Sequence, residues 1–74
     1  SSNVKIKDGA TVSASILFDD VEVGEYSQLQ NCIIDKHVKI PPRTKIGVNK
    51  AEDAARFTIS ERGIVVVPES YKFE

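Results

Sequence analysis

The chain has 74 residues, 41% apolar and 28% charged, with ten Lys and Arg against eleven Asp and Glu, the composition of one globular domain and no more. Near-neutral charge without a basic block argues against a nucleic-acid partner, and the longest apolar run, Ile64 to Val67, is far too short to span a bilayer. Cys32 is the only cysteine, which excludes an internal disulfide and an all-cysteine zinc site.

A domain of this size buries little apolar surface and leans on a partner or on the rest of a longer chain. The lack of an initiating Met and a start in mid-pattern suggest such a fragment. One unpaired thiol and no apolar leader at the first residue place it in the cytoplasm by expectation, with no membrane contact.

From its start the chain repeats at every seventeenth position: Val4 to Asp20, Val21 to His37 and Val38 onward align without gaps. Val4, Val21 and Val38 form one column, and Ile6, Val23 and Ile40 the next. Then come Ala10, Ser27 and Thr44, followed by Val12, Leu29 and Ile46; Ser15 with Cys32 and Leu17 with Ile34 complete each coil. Inward residues lie two apart within each side, the period of a pleated strand. Three short strands per coil, each coil stacked on the last, make an all-β fold, a parallel β-helix. The expected core is Val4, Ile6, Val12, Leu17, Val21, Val23, Leu29, Ile34, Val38, Ile40 and Ile46.

Gly9 and Gly24 mark corners or their edges. Ile16 and Ile33 point outward with Phe18 nearby, an apolar stripe expected to be covered by the C-terminal tail, through Phe57 or Ile64 to Val67, or by another subunit. Cys32 shares the small inward position of Ser15, so it reads as core. Two outward columns alternate in charge: Lys5, Glu22 and Lys39, and, if the register survives, Asp19, Lys36 and Asp53. His37 is a corner residue above Asp20. Pro41-Pro42 fits a corner too, where no ladder hydrogen bond is asked of the missing N–H groups.

The repeat stops after Gly47. Residues 1–48 are read as β-helix coils, and 49–74 as a helical turn followed by a closing strand and tail. Asn49 is placed to cap a short helix with Glu52 and Asp53 early and Arg56 late. Gly63 ends a turn, and Pro68 stops the strand of Ile64 to Val67.

The runs "CIIDKHVKIPPRTKIG" and "DAARFTISERGIVVV", in this order and spacing, resemble the C-terminal end of the bacterial ADP-glucose pyrophosphorylases, the glucose-1-phosphate adenylyltransferases of glycogen synthesis. The resemblance spans nearly the whole chain. It implies a left-handed, hexapeptide-type coil, against the usual right-handed crossover. It implies a catalytic nucleotidyltransferase domain N-terminal to these residues, which makes ADP-glucose and pyrophosphate from ATP and glucose 1-phosphate with Mg²⁺. No glycine-rich phosphate loop occurs here, so the fragment alone is expected to be inactive, with no catalytic, cofactor or metal residue of its own. Its role would be assembly of a homotetramer and, with the catalytic domain, binding of an anionic sugar-phosphate activator.

Lys36, in "IIDKH", matches a basic position at that effector cleft; Arg56 and Lys72 are further effector candidates, and Arg62 flanks them. The plainer role for Lys36 is to balance Asp19 one coil below. Relatives activated by fructose bisphosphate carry arginines just after the "IVLV" strand, where this chain has Pro68-Glu69, so the activator stays open. The alternative is a fragment of a hexapeptide acyltransferase with His37 as its base. A γ-type carbonic anhydrase needs three zinc-binding histidines, and one is present.

Overall fold

The computed structural model describes residues 3–73; the outer ends of the two expected units, residues 1, 2 and 74, lie outside it. The coils run β1 (Lys5–Ile6), β2 (Thr11–Ser13), β3 (Ile16–Leu17), then β4 (Glu22–Val23), β5 (Gln28–Gln30), β6 (Cys32–Ile34), then β7 (Lys39–Ile40) and β8 (Lys45–Ile46). Helix α1 (Lys50–Arg56), β9 (Thr58–Ile59) and β10 (Val65–Val67) follow. They form three sheets, β1-β4-β7, β2-β5-β8 and β3-β6-β10-β9, the three faces of a left-handed parallel β-helix.

The columns read from the repeat are the observed register: Ile6 pairs with Val23 and Val23 with Ile40, Val12 with Leu29 and Leu29 with Ile46, and Leu17 with Ile34. At the strand positions N–H groups donate forward to the next layer, as from Lys5 to Val21 (3.0 Å), Thr11 to Ser27 (2.8 Å) and Phe18 to Ile34 (3.0 Å). The corners turn through the left-handed region in stacked sets: Asn3, Asp20, His37 and Ser70 at φ 58–60°, Gly9, Tyr26 and Arg43 at 60–75°, and Ala14 and Asn31 at 48°. Outside glycine such a conformation costs about 1–2 kcal/mol, least for Asn and Asp, and the ladders above and below hold it.

Pro41-Pro42 lies in a corner, as expected, and explains Gly24 one layer below. A Cβ on Gly24 would run into the backbone of Ile40, Pro41 and Pro42. The Pro41 carbonyl accepts the hydroxyls of Ser27 (2.9 Å) and Thr44 (2.7 Å), so the small inward residues tie the corner to both layers.

Val21, Val23, Leu29, Cys32, Ile34, Val38, Ile40 and Ile46 are buried in the prism. The first layer departs from expectation. Val4, Val12 and Leu17 are half-buried and Ile6 is 52% exposed, because among the described residues this layer has a neighbour on one side only.

The third coil departs too. Val65 pairs with Cys32, in the place that the repeat assigns to Asn49, so the segment 49–64 is looped out before the coil resumes. The loop carries α1 and β9, and β9 runs antiparallel to β10 and closes that sheet's edge. β10 therefore extends the stack and does not cover the outward stripe; Val66 joins Ile33 and Ile16 in it. Ile16 (54%) and Phe18 (42%) stay exposed, against the expectation of cover by the tail. Phe57 instead turns onto the end of the prism with Tyr71 and Phe73, ring centroids 4.9–6.0 Å apart. Burying such side chains is worth about 1.5–3 kcal/mol each, and these three close the C-terminal end.

Candidate functional site

Lys36 follows β6 into the corner formed by His37. Its ammonium is 3.9 Å from Asp35 Oδ1, and its backbone N–H donates to the same oxygen at 2.7 Å. With Phe18 and Asp19 it lines a shallow groove of about 250 Å³. The Ser70 N–H donates to Lys36 O as the His37 N–H donates to Asp19 O, both at 3.0 Å. Glu69 thus follows Lys36 as Lys36 follows Asp19, and the alternating column is Asp19, Lys36, Glu69.

Asp53, expected third in that column, lies in α1. A helix begun at Asn49, whose Oδ1 accepts the Glu52 N–H at 3.1 Å, cannot also continue the ladder. Asp53 is 1% exposed; its Oδ2 accepts the Gly47 N–H at 2.8 Å, and its buried Oδ1 has no hydrogen-bond partner. Gly47 is where the chain leaves the prism, and its Cβ position is filled by the Gln30 carbonyl.

Lys72 borders a different groove, of about 470 Å³, with His37, Lys39, Ser70, Tyr71 and Phe73. Arg56, at the end of α1, sets its guanidinium 5.1 Å from the Phe57 ring centre, on the end cap. Arg62 is exposed in the turn between β9 and β10. Lys36, Arg56 and Lys72 do not converge on one groove.

His37 Nδ1 lies 3.2 Å from Asp20 Oδ2, with both side chains about half exposed, which is the corner stacking the repeat predicts. Cys32 is buried; its N–H donates to Ser15 Oγ at 3.2 Å and its Sγ lies 3.3 Å from the same oxygen. Burial pushes the thiol pKa up, nearby Asp53 pushes the same way, and the Ser15 hydrogen bond only partly opposes them, so Cys32 stays a thiol and packs as core. Lys5, Glu22 and Lys39 share a column, but the ion pair of Glu22 runs diagonally to Lys7 at 3.1 Å. Among the described residues there is no group of three or more His, Cys, Asp and Glu side chains placed to hold a metal ion. Among the same residues, no helix is long and apolar enough to cross a membrane.

Residues 1–67 match the family described as GlmU-like, C-terminal hexapeptide. The chain is 70% identical over 73 residues to glucose-1-phosphate adenylyltransferase 2 of Vibrio cholerae, covering 99% of this chain and 18% of that protein. It is 74% identical over 73 residues to the enzyme of the same name from Vibrio parahaemolyticus, with the same coverage. To the glucose-1-phosphate adenylyltransferase of Deinococcus deserti it is 53% identical over 72 residues, covering 96% of this chain and 17% of that protein. The chain thus spans under a fifth of the length of these relatives, in their C-terminal part.

Proposed function

Because the chain belongs to the GlmU-like C-terminal hexapeptide family, we propose that it is the C-terminal regulatory and assembly domain of a glucose-1-phosphate adenylyltransferase. The observation that carries this reading is the identity of 70–74% to two Vibrio adenylyltransferases over 73 residues, which include the looped-out segment and the tail as well as the coils. A shared coil pattern alone would suit an acyltransferase equally; likeness through α1, β9 and β10 favours the adenylyltransferase.

In the whole protein an N-terminal domain outside this chain would transfer the adenylyl group of ATP to the phosphate of glucose 1-phosphate, releasing pyrophosphate and yielding ADP-glucose for glycogen synthesis. Mg²⁺ and both substrates would be bound there. The part of these residues is indirect. The prism is a rigid strut, its outward stripe of Ile16, Ile33 and Val66 offers apolar surface for subunit contact in a homotetramer, and its lysines offer charge to an anionic activator shared with the catalytic domain. Lys36 is the first effector contact in this reading, with Lys72 and Arg56 on separate surfaces. Such a protein works in the cytoplasm, where ATP and sugar phosphates are found.

The test is to assay the full-length protein for ADP-glucose and pyrophosphate formation, alongside the 74-residue chain. The full-length protein should form both products and the chain alone neither. Acyl transfer from an acyl-CoA by the full-length protein, with no ADP-glucose made, would sink the reading.

A further inference from the structure

Between the end of the coils and the aromatic cap, the chain is sunk into the prism at one residue only. Ile46 is fully buried at the end of β8, and Phe57 is 8% exposed in the cap with Tyr71 and Phe73. Every residue from 48 to 56 except Asp53 is exposed, Val48 to 43%. α1 lies chiefly against β9, the strand that follows it, and among the described residues no ion pair joins Lys50, Glu52 or Arg56 to the coils. The Arg56 guanidinium stays with its neighbour, 5.1 Å from the Phe57 ring centre.

One hydrogen bond among the described residues ties this stretch to the coils, from the Gly47 N–H to Asp53 Oδ2 at 2.8 Å. Other bonds are internal to it: Asn49 Oδ1 accepts the Glu52 N–H at 3.1 Å, Asn49 O the Asp53 N–H at 3.0 Å, and Asp53 O the Phe57 N–H at 2.7 Å. A helix of seven residues is too short to stand by itself, and its exposed alanines bury little apolar surface. The latch is itself a compromise. A charge-assisted bond holds the carboxylate in, while burial with Oδ1 left without a partner pushes it out. The closed arrangement is therefore held by a small difference, and both ends of the stretch are anchored independently of it.

We propose that residues 48–56 are a strap, latched by Asp53, that opens and recloses as a unit while the coils and the aromatic cap stay folded. Opening unwinds α1 and turns the Asp53 carboxylate and the Gly47 N–H out to water together. The pivots are Gly47, already in the left-handed region at φ 85°, and Phe57, extended at φ −129° and ψ 169°. The domain thus carries a two-state element at its C-terminal end. A surface that packs on the closed helix favours one state, and one that offers a donor to the Asp53 carboxylate favours the other. None of this depends on the reaction that the rest of the protein performs.

Native-state hydrogen exchange of the full-length protein tests it, read by mass spectrometry in peptides covering residues 47–57 and 21–31 at rising urea below the unfolding transition. The hydrogen-bonded amides of 47–57 should exchange about tenfold or more faster than those of 21–31, at a rate that urea barely changes, because opening a strap exposes little surface. Asp53→Ala should speed exchange in 47–57 by about tenfold, the loss expected for one buried hydrogen bond to a charged group. Asn49→Ala should speed it roughly fivefold, the loss for a missing N-cap. Neither should alter 21–31. Exchange in 47–57 as slow and as urea-dependent as in 21–31 overturns the proposal, since α1 would then open only with the prism. Equal acceleration of both peptides by Asn49→Ala overturns it too. So does exchange in 47–57 of Asp53→Ala that matches the parent, because Asp53 would then not be the latch.

Discussion

The Asp53 carboxylate accepts the Gly47 N–H at 2.8 Å, standing where a fourth layer would otherwise present a carbonyl. Strands in the lower layers of the prism send N–H groups to the layer above, as Gln28 does to Thr44 at 2.8 Å. At Gly47 the chain departs, and a side chain carried on α1 replaces the missing backbone. Asp53→Ala should leave that N–H buried without a partner and cost about 1–3 kcal/mol. Asp53→Asn, which keeps an acceptor, should cost less. Urea unfolding of the two variants decides; an Ala variant within about 0.5 kcal/mol of the parent would show that the bond is not what anchors α1.

Gly24 should tolerate no side chain. Its Cβ position is taken by backbone of Ile40, Pro41 and Pro42, which cannot move aside as a flexible side chain would. Gly24→Ala is expected to cost roughly 1–3 kcal/mol through overpacking. Gly63→Ala meets no neighbour, and its φ of 81° alone opposes it, for about 1 kcal/mol. Thermal melts that rank the two in the opposite order would contradict the stacking of the Pro41-Pro42 corner on Gly24.

The two ends of one column should respond differently to the same truncation. Ile40 is 2% exposed and Ile6 is 52% exposed, although both point inward in the register. Ile40→Ala should cost about 2–5 kcal/mol, and Ile6→Ala in the 74-residue chain under about 1 kcal/mol. In the full-length protein the Ile6 value should rise toward that of Ile40 if a further layer covers it. Equal costs in the isolated chain would mean that the first layer is already covered, for instance by a second copy.

How much of this was legible follows from where each signal resides. The inward columns were readable because a stacked coil repeats its burial pattern at a fixed spacing, and Val23 over Ile6 and Leu29 over Val12 carry it in plain residue types. The return of β10 was not, because the step from Cys32 to Val65 breaks that spacing, and only three-dimensional pairing restores it. The same break hid the true third member of the Asp19 and Lys36 column, since one repeat on from Lys36 is Asp53, not Glu69. The helix signal at Asn49 was readable and already conflicted with a ladder position for Asp53. Exposure of the stripe could not be read at all: alternation tells which way Ile16 points, not what lies opposite it. Of the candidate site, the lysines were legible as residue types, but their division between two grooves depends on the displaced register.

Protonation of the Lys7–Glu22 pair should matter only far from neutral pH. The hydrogen bond and the charge of Lys7 lower the Glu22 pKa below its ordinary 4.5, and Glu22 in turn raises Lys7 above 10.5. A depressed carboxylate contributes stability above its unfolded value that is lost as pH falls through the folded one. A raised lysine contributes below its unfolded value and loses that as pH rises through the folded one. Both windows lie outside about pH 5–10, so Glu22→Gln should not alter the pH dependence of stability between them. Both side chains are solvated, so the whole effect is small and should fade with added salt. NMR titration of the Glu22 side-chain carboxyl checks the direction; a midpoint above the ordinary value would mean that the diagonal pair does not form in solution.

The regulatory role of Lys36 can be separated from a structural one in the full-length protein. Its ammonium sits 3.9 Å from Asp35 Oδ1, in a column with Asp19 below and Glu69 above, so acids already surround it. If it contacts an anionic activator, Lys36→Ala should remove one charge-assisted hydrogen bond of roughly 1.5–3 kcal/mol and raise the activator concentration for half-maximal effect about tenfold or more. The unactivated rate should barely change, because the reacting phosphates are held by another domain in the proposed arrangement. Glu69→Lys offers the converse: it replaces an acid beside Lys36 by a second cation and should strengthen activation by an anion. Should Lys36→Ala leave the activation curve unaltered while lowering the melting temperature, Lys36 would be a link in the alternating column and nothing more.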